Sequence, residues 1–262
     1  MCAAVAVHPL SHDSDSAWAR LKPNQTVRAV APLALDTPVR DDAVRFVCIS
    51  DTHNCGGRGT LHAVPAGDVL LHAGDFTMVG SAEEVDAFNA FLGTLPHRHK
   101  IVIAGNHELS FDPDTTWLAA SREPAVVDEA VAAMKRRLGN CTYLQDAEVT
   151  VFGLKVYGSP WQPCHNHWAF NLQRGRALLD KWERIPVDTD VLLTHTPPIG
   201  HGDLCVLDQH VGCVELLSVV QNRVRPRYHV FGHIHEVPSQ NTAFPQQLNE
   251  DGQESQMNQA DT

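Results

Sequence analysis

Five short apolar stretches, at residues 44–50, 68–72, 100–104, 190–194 and 228–231, each lead within two residues into Asp, Asn, His or Gly. They are rich in Val, Ile, Leu and Phe and too short for core helices, so they read as buried strands. Segments of helical character lie between them, which predicts an α/β fold around a largely buried sheet. In open α/β sheets ligands collect outside the carboxyl ends of the strands. Those ends supply Asp51-Thr52-His53, Gly74-Asp75, Gly105-Asn106-His107-Glu108, His195 and Gly232-His233-Ile234-His235. The fold expected from the apolar runs therefore gathers a polar cluster at one rim.

The connecting segments carry their own signals. Ser81 and Glu84 form an S-x-x-E capping box ahead of Val85, Phe88, Phe91 and Leu92, and Pro96 lies beyond the expected helix end. A second helix is expected over residues 124–138, with Gly139 just past it, and two more near 171–184 and 212–223. Residues 148–151 and 155–157 read as a β-ribbon turning at Phe152-Gly153, so the sheet is not purely parallel. At ~100–200 residues per domain, one large domain is expected. Its bounds are 44–236, between an irregular N-terminal arm (1–43) interrupted by Pro23, Pro32 and Pro38 and a Gln/Asn-rich disordered tail (237–262).

Composition narrows the function. A net charge of −11 argues against binding a nucleic-acid backbone, which needs basic residues in excess. No stretch approaches the ~18 apolar residues of a membrane span, and the N-terminus lacks a cationic segment followed by an apolar run, so a cytoplasmic location is expected. Seven cysteines, an odd number without a C-x-x-C pair, read as reduced thiols.

The 16 histidines call for an explanation, and the strand ends offer one. Asp, Asn and His together suit a divalent first-row metal (manganese foremost, then iron, zinc or cobalt) rather than an all-oxygen calcium site. D-x-H and H-x-H spacings project both side chains to one side of an extended backbone. A carboxylate such as Asp75 can bridge two ions ~3.5–4 Å apart, which together clamp a phosphate. Taken singly, D-x-H is common by chance and Gly-Asp is an ordinary turn pair. Their conjunction, each at a strand end, is what favours metal over coincident turns.

In this order the motifs resemble the calcineurin-like metallophosphoesterase superfamily, which carries D-x-H, G-D-x-x-D/E, G-N-H-D/E, a lone His and G-H-x-H. The stretches VRFVCISDTHN, LLHAGDFT, KIVIAGNHELSFD and YHVFGHIHE are, more narrowly, similar to the metallophosphoesterase domain-containing proteins of animal cells, a cyclic-nucleotide phosphodiesterase group. The resemblance covers about residues 17–236 and implies a four-layer α/β/β/α sandwich with mixed sheets. By this resemblance Asp51, His53, Asp75 and His235 hold one of two divalent ions, and Asp75, Asn106, His195 and His233 the other. It further implies that a hydroxide held between the ions attacks phosphorus and that His107 acts on the substrate, protonating the departing oxygen.

Two departures qualify the resemblance. Met78 stands where the family usually has an acid that supports the catalytic histidine, so His107 is expected to lose an orienting hydrogen bond and turnover to be modest. After Glu236 the chain leaves the family pattern, so the C-terminal strands are expected to be missing and a sheet edge uncovered. The leading reading is a dimetal phosphodiesterase of small phosphoesters, cyclic nucleotides first. A protein phosphatase or nuclease would share the centre; the alternative outside enzymes is a metal- or nucleotide-binding regulatory protein. Around the site, Trp161, Asn166 and Trp168 are placed beside a substrate base. His97 and His99 are expected to be solvated, Cys55 to be a bystander, and Lys135-Arg136-Arg137 to be a helix-end charge cluster.

Overall fold

The computed structural model describes residues 5–31, 33–34, 37–54, 64–115 and 123–235, with the backbone of 242–243 and 258–259. Helix α1 (Ser14–Leu21) is capped by the Asp13 side chain and buries Ala17 and Trp18. The irregular arm expected there is thus corrected: the prolines lie beyond this helix, and its apolar face packs on Ile199, Val214 and Leu217, far away in sequence. Strand β1 (Arg28–Ala29) follows, and the first apolar stretches become β2 (Phe46–Ile49), β3 (Val69–His72) and β4 (His99–Val102), with α2 (Ala82–Thr94) between the last two. After α3 (Pro124–Arg136) come β5 (Thr142–Tyr143), the ribbon β6 (Ala147–Val151) and β7 (Leu154–Ser159), the short pair β8 (Gln162–Pro163) and β9 (Asn171–Leu172), and α4 (Arg176–Trp182). The remaining elements are β10 (Val191–Thr194), α5 (Val214–Val219) with a π-helical extension over Val220–Val224, β11 (Tyr228–Val230), β12 (Thr242–Ala243) and β13 (Asn258–Gln259).

One sheet has the order β13-β2-β3-β4-β5 and is parallel throughout; the other runs β11-β10-β7-β6 and is mixed, because the ribbon is antiparallel. Side chains alternate across each strand. Phe46, Cys48, Val69, Leu71, Val191 and Leu193 meet Val151 and Val156 between the sheets. Val47, Ile49, Leu70 and Leu192 point the other way, into a core with Val85, Phe88 and Leu92 of α2, Leu178 and Trp182 of α4 and Leu216 of α5. Both faces are buried, which is why these strands read as unbroken apolar runs, each large side chain stabilising by about 1.5–3 kcal/mol. The layers are helix, sheet, sheet, helix.

Local chemistry accounts for the boundaries. Ser81 and Glu84 make both bonds of the capping box at the start of α2. The ribbon turns with Phe152 and Gly153 at φ 49° and 79°, the positive pair a tight right-twisted hairpin needs. The helix expected from 171 begins only at Arg176, because Asn171 and Leu172 pair with β8 and Gly175 sits at φ 88°. His97, expected to be solvated, is buried instead, its Nε2 3.1 Å from the Pro65 carbonyl. Arg136 and Arg137 pair with Glu129 and Asp86, as a helix-end cluster should.

Most of 236–262 lies outside the described residues, as does Cys55. Within the stretch expected to be disordered, β12 pairs antiparallel with β1 and β13 parallel with β2. The β2 edge is therefore not bare as expected: Asn258 and Gln259 pair with Val47 and Cys48. Among the described residues no helix is long and apolar enough to cross a membrane.

Candidate metal centre

The strand ends converge at one rim, and the backbone there is unusual. Asp51, His53, Asn54, Asp75 and His233 all have φ between 39° and 78°. Left-handed backbone at non-glycine residues is uncommon and persists where the surroundings over-determine it. Here they do. Asp51, His53 and Asn54 donate backbone N–H bonds to the carbonyls of Gly74, Asp75 and Phe76, so the D-T-H turn is laced to the following strand end.

The glycines are required by crowding. A Cβ on Gly74 would lie 2.6 Å from His195 Nδ1, one on Gly105 would overlap Asp75 Oδ1 and His195 Cε1, and one on Gly232 would overlap Ser50 and Asp51. Each closes the approach of a side chain from another strand end.

Two sets of side chains result. Asp51 accepts the His233 backbone N–H at 3.0 Å, and its Oδ1 lies 3.1 Å from His235 Nε2, itself 3.4 Å from His53 Nε2. In the second set His195 Nε2 stands 3.0 Å from Asn106 Oδ1 and 3.3 Å from Asp75 Oδ2, and the His195 and His233 rings meet edge-on at 4.8 Å. The donor atoms of Asp51, His53 and His235, and those of Asp75, His195 and His233, lie within 4.8 Å of one another in each group. A third group of the same tightness contains His53, Asp75 and His107, so Asp75 stands between the sets.

The histidine tautomers follow from their neighbours. Nδ1–H of His53, His195 and His107 donates to the carbonyls of Thr77 (3.2 Å), Ala73 (2.8 Å) and Met78 (2.6 Å). A carbonyl can only accept, so in each neutral ring the proton sits on Nδ1 and Nε2 carries the lone pair, the usual arrangement behind a ligating histidine. His107 thus keeps the orienting bond it was expected to lose: the Met78 main chain supplies what its side chain does not.

Glu108 binds the rim from below. Fully buried, it accepts hydrogen bonds from the N–H groups of Asp75 (3.0 Å), Thr77 (2.9 Å) and Gly105 (2.6 Å) and from the Thr77 hydroxyl (2.8 Å). One carboxylate thereby joins the G-D loop to the G-N-H-E loop. Burial, and then the neighbouring Asp75, push its pKa up, while the Gly105 and Thr77 donors hold it down and keep the carboxylate ionised. Burial also pulls His195 down, yet Asp75 and Asp51 prevail and raise it to about 9. His233, by contrast, is pulled down to about 3 by burial and by the charge of His195.

All eight residues read from the strand ends are brought together. One partner, His72, had no sequence signal. Fully buried at the end of β3, it shares a 2.9 Å bond with Thr52 between Asp51 and His53. Trp168, placed beside a substrate base by sequence, packs on His107 itself, centroids 4.1 Å apart. Trp161 is buried, its indole N–H donating to Asp146 at 2.8 Å, and Asn166 lies on the exposed loop 164–167.

The calcineurin-like phosphoesterase profile matches residues 44–237. The metallophosphoesterase domain-containing protein 1 of Homo sapiens is 51% identical over 218 residues, 80% of this chain and 66% of that protein. A UPF0046 protein of Caenorhabditis elegans is 48% identical over 245 residues, 88% of this chain and 61% of its own length. The chain thus spans less than two thirds of these relatives. A solved crystal structure, 17% identical, shares the fold at a TM-score of 0.50 over 72% of this chain and 83% of that one.

Proposed function

The chain belongs to the calcineurin-like phosphoesterase family, and on that premise we propose that it is a dimetal phosphodiesterase of small substrates, cyclic nucleotides first. The observation that carries the reading is the pair of tight donor groups, Asp51/His53/His235 and Asp75/His195/His233, with Asp75 between them. Asp51, His53, Asp75 and His235 would hold one divalent ion, and Asp75, Asn106, His195 and His233 the other. The mixed oxygen and imidazole donors fit manganese, iron, zinc or cobalt, with manganese proposed first.

Bound ions there supply Lewis acidity toward phosphoryl oxygens and make water a competent nucleophile near neutral pH. The protein supplies the rest. His107, with Nδ1 fixed by the Met78 carbonyl, presents Nε2 to the cleft at 4.0 Å from Asp75 Oδ2. From there it donates a proton to the departing ester oxygen. The acidic net charge supports a small phosphoester, neutralised at the metal centre, rather than nucleic acid as the partner. Trp168 and His165 bring rings to the side of the cluster where a nucleobase would lie.

The test is hydrolysis of bis(p-nitrophenyl) phosphate and of 3′,5′-cyclic AMP with Mn²⁺ in wild type, Asp75→Ala and His107→Ala. A loss of at least ~100-fold on both diesters in Asp75→Ala, and on 3′,5′-cyclic AMP in His107→Ala, supports the reading. Tight Mn²⁺ and nucleotide binding without turnover would make the chain a binding protein instead.

A further inference from the structure

We propose that Trp168 is a positioning residue for His107, its indole face doing part of what an acid at position 78 would do. The inference rests on the phosphodiesterase reading above, in which His107 protonates the leaving group. The His107 ring is held on three sides. One face lies against the Trp168 ring at 4.1 Å and 30°, an edge meets the His53 ring at 4.5 Å and 73°, and Nδ1 bonds the Met78 carbonyl at 2.6 Å. Nε2 lies on the side of the metal-ligand cluster, 4.0 Å from Asp75 Oδ2. The Met78 bond alone fixes one atom and leaves the ring plane free to tilt about it; the indole, in contact at 4.1 Å with its plane inclined by 30°, limits that freedom from one side.

Trp168 is itself referenced to the same loop as His107. The Ala169 N–H donates to the Asn106 carbonyl at 3.0 Å, tying the residue after Trp168 to the residue before His107. Asn171 Nδ2 donates to the Trp168 carbonyl at 2.9 Å and to those of His165 and Asn166 at 3.1 and 3.2 Å, closing the 165–171 loop on itself. Residues 164–167 are exposed while Trp168 is half-buried, so this is the residue the loop turns inward. The arrangement explains how a chain with Met78 can keep a competent histidine.

The consequence concerns the leaving group. His107 gives its Nε2 proton to the ester oxygen as the P–O bond breaks, and regains one from the attacking water. A p-nitrophenolate scarcely needs that proton, whereas a phenolate or alkoxide does. Loosening the imidazole should therefore hurt poor leaving groups most.

The experiment compares Trp168→Leu, Trp168→Phe, His107→Gln and the double variant Trp168→Leu/His107→Gln in the manganese-loaded protein, on bis(p-nitrophenyl) phosphate and diphenyl phosphate. The expected result is a kcat loss in Trp168→Leu at least ~10-fold larger on diphenyl phosphate, since general acids contribute ~10²–10⁴-fold. Phe should recover most of it, and adding Trp168→Leu to His107→Gln should cost nothing further, as for residues acting through one another. An equal loss on both substrates, or additive losses, overturns the proposal. A second readout is the His107 Cε1–H resonance of the zinc-loaded protein, which should lose its indole ring-current shift and broaden in Trp168→Leu; an unchanged line overturns the proposal as well. If the wild type hydrolyses neither diester, the phosphodiesterase reading fails while this spectrum still decides whether Trp168 holds His107.

Discussion

The main-chain carbonyl of Met78 accepts the Nδ1 proton of His107 at 2.6 Å, and the Met78 side chain takes no part in that bond. Any residue at position 78 that keeps the backbone keeps the bond. Met78→Glu should accordingly change kcat on diphenyl phosphate, whose poor leaving group needs the His107 proton, by less than about 3-fold, far below the ~10²–10⁴ that a general acid contributes. A gain of tenfold or more would show that His107 lacks its orienting partner after all.

The four donors converging on Glu108 predict a different kind of loss. Glu108→Gln keeps the shape but sets an amide NH₂ against donor groups. It should cost about 1–3 kcal/mol of stability in urea unfolding, the price of leaving buried donors unpaired. Because the same carboxylate holds the Asp75 backbone, Mn²⁺ affinity by calorimetry should fall about 10–100-fold, as for other groups that orient metal ligands. Unchanged affinity would mean that the two loops hold their places without it.

Gly232 links packing to metal binding. A methyl there would overlap Ser50 and Asp51. Gly232→Ala should cost about 1–3 kcal/mol through overpacking. It should also disturb the Asp51/His53/His235 set first, so that elemental analysis finds nearer one manganese per chain than two. Two ions at wild-type affinity would contradict the close approach.

Stability should also depend on pH through a residue outside the cluster. His229, half-buried in β11, shares a 2.8 Å bond with Thr194 Oγ1, and burial pulls it down to about 3. The folded pKa is thus below the unfolded value near 6.5, so the unfolded chain binds the extra proton between the two. This stability is present above pH ~6.5 and is lost as pH falls from there toward 3. For chelated protein the loss attributable to His229 between pH 7.5 and 5 should be about 1 kcal/mol, discounting for partial exposure. His229→Gln should flatten urea unfolding by that amount over the same range; an identical pH slope would assign the loss elsewhere.

The N-terminal helix should matter as much as any core element. Trp18 is 8% exposed and packs on His201 and His210, and a Cβ on Gly200 would collide with its indole. Trp18→Ala should lower stability by about 3–5 kcal/mol, the usual cost of emptying a large aromatic site. A loss below about 1 kcal/mol would restore the view of residues 14–21 as a loose arm.

What the sequence disclosed and what it hid follow the same physics. β2, β3 and β10 were legible because both faces of each are buried, which leaves an unbroken apolar run ending abruptly in Asp51, Gly74-Asp75 and His195. The capping box of α2 was legible because both its bonds are local. Helix α1 was not: its buried face is little more than Ala17 and Trp18, and what covers it comes from residues 199–217. His97 read as solvated because its partner is a backbone carbonyl 32 residues away. The Met78 contact was invisible for a related reason, since a main-chain carbonyl leaves no trace in residue identity.

The most direct measurement is hydrolysis of 3′,5′-cyclic AMP followed as Mn²⁺ is titrated into chelated protein, with bound metal counted in parallel for wild type and Asp75→Asn. Activity should rise with filling of the second of two sites in the wild type. In Asp75→Asn, which weakens the bridge between the ligand sets, both the second ion and the activity should be lost. Hydrolysis that persists in Asp75→Asn, or two tightly bound ions with no hydrolysis of any diester, would contradict the account.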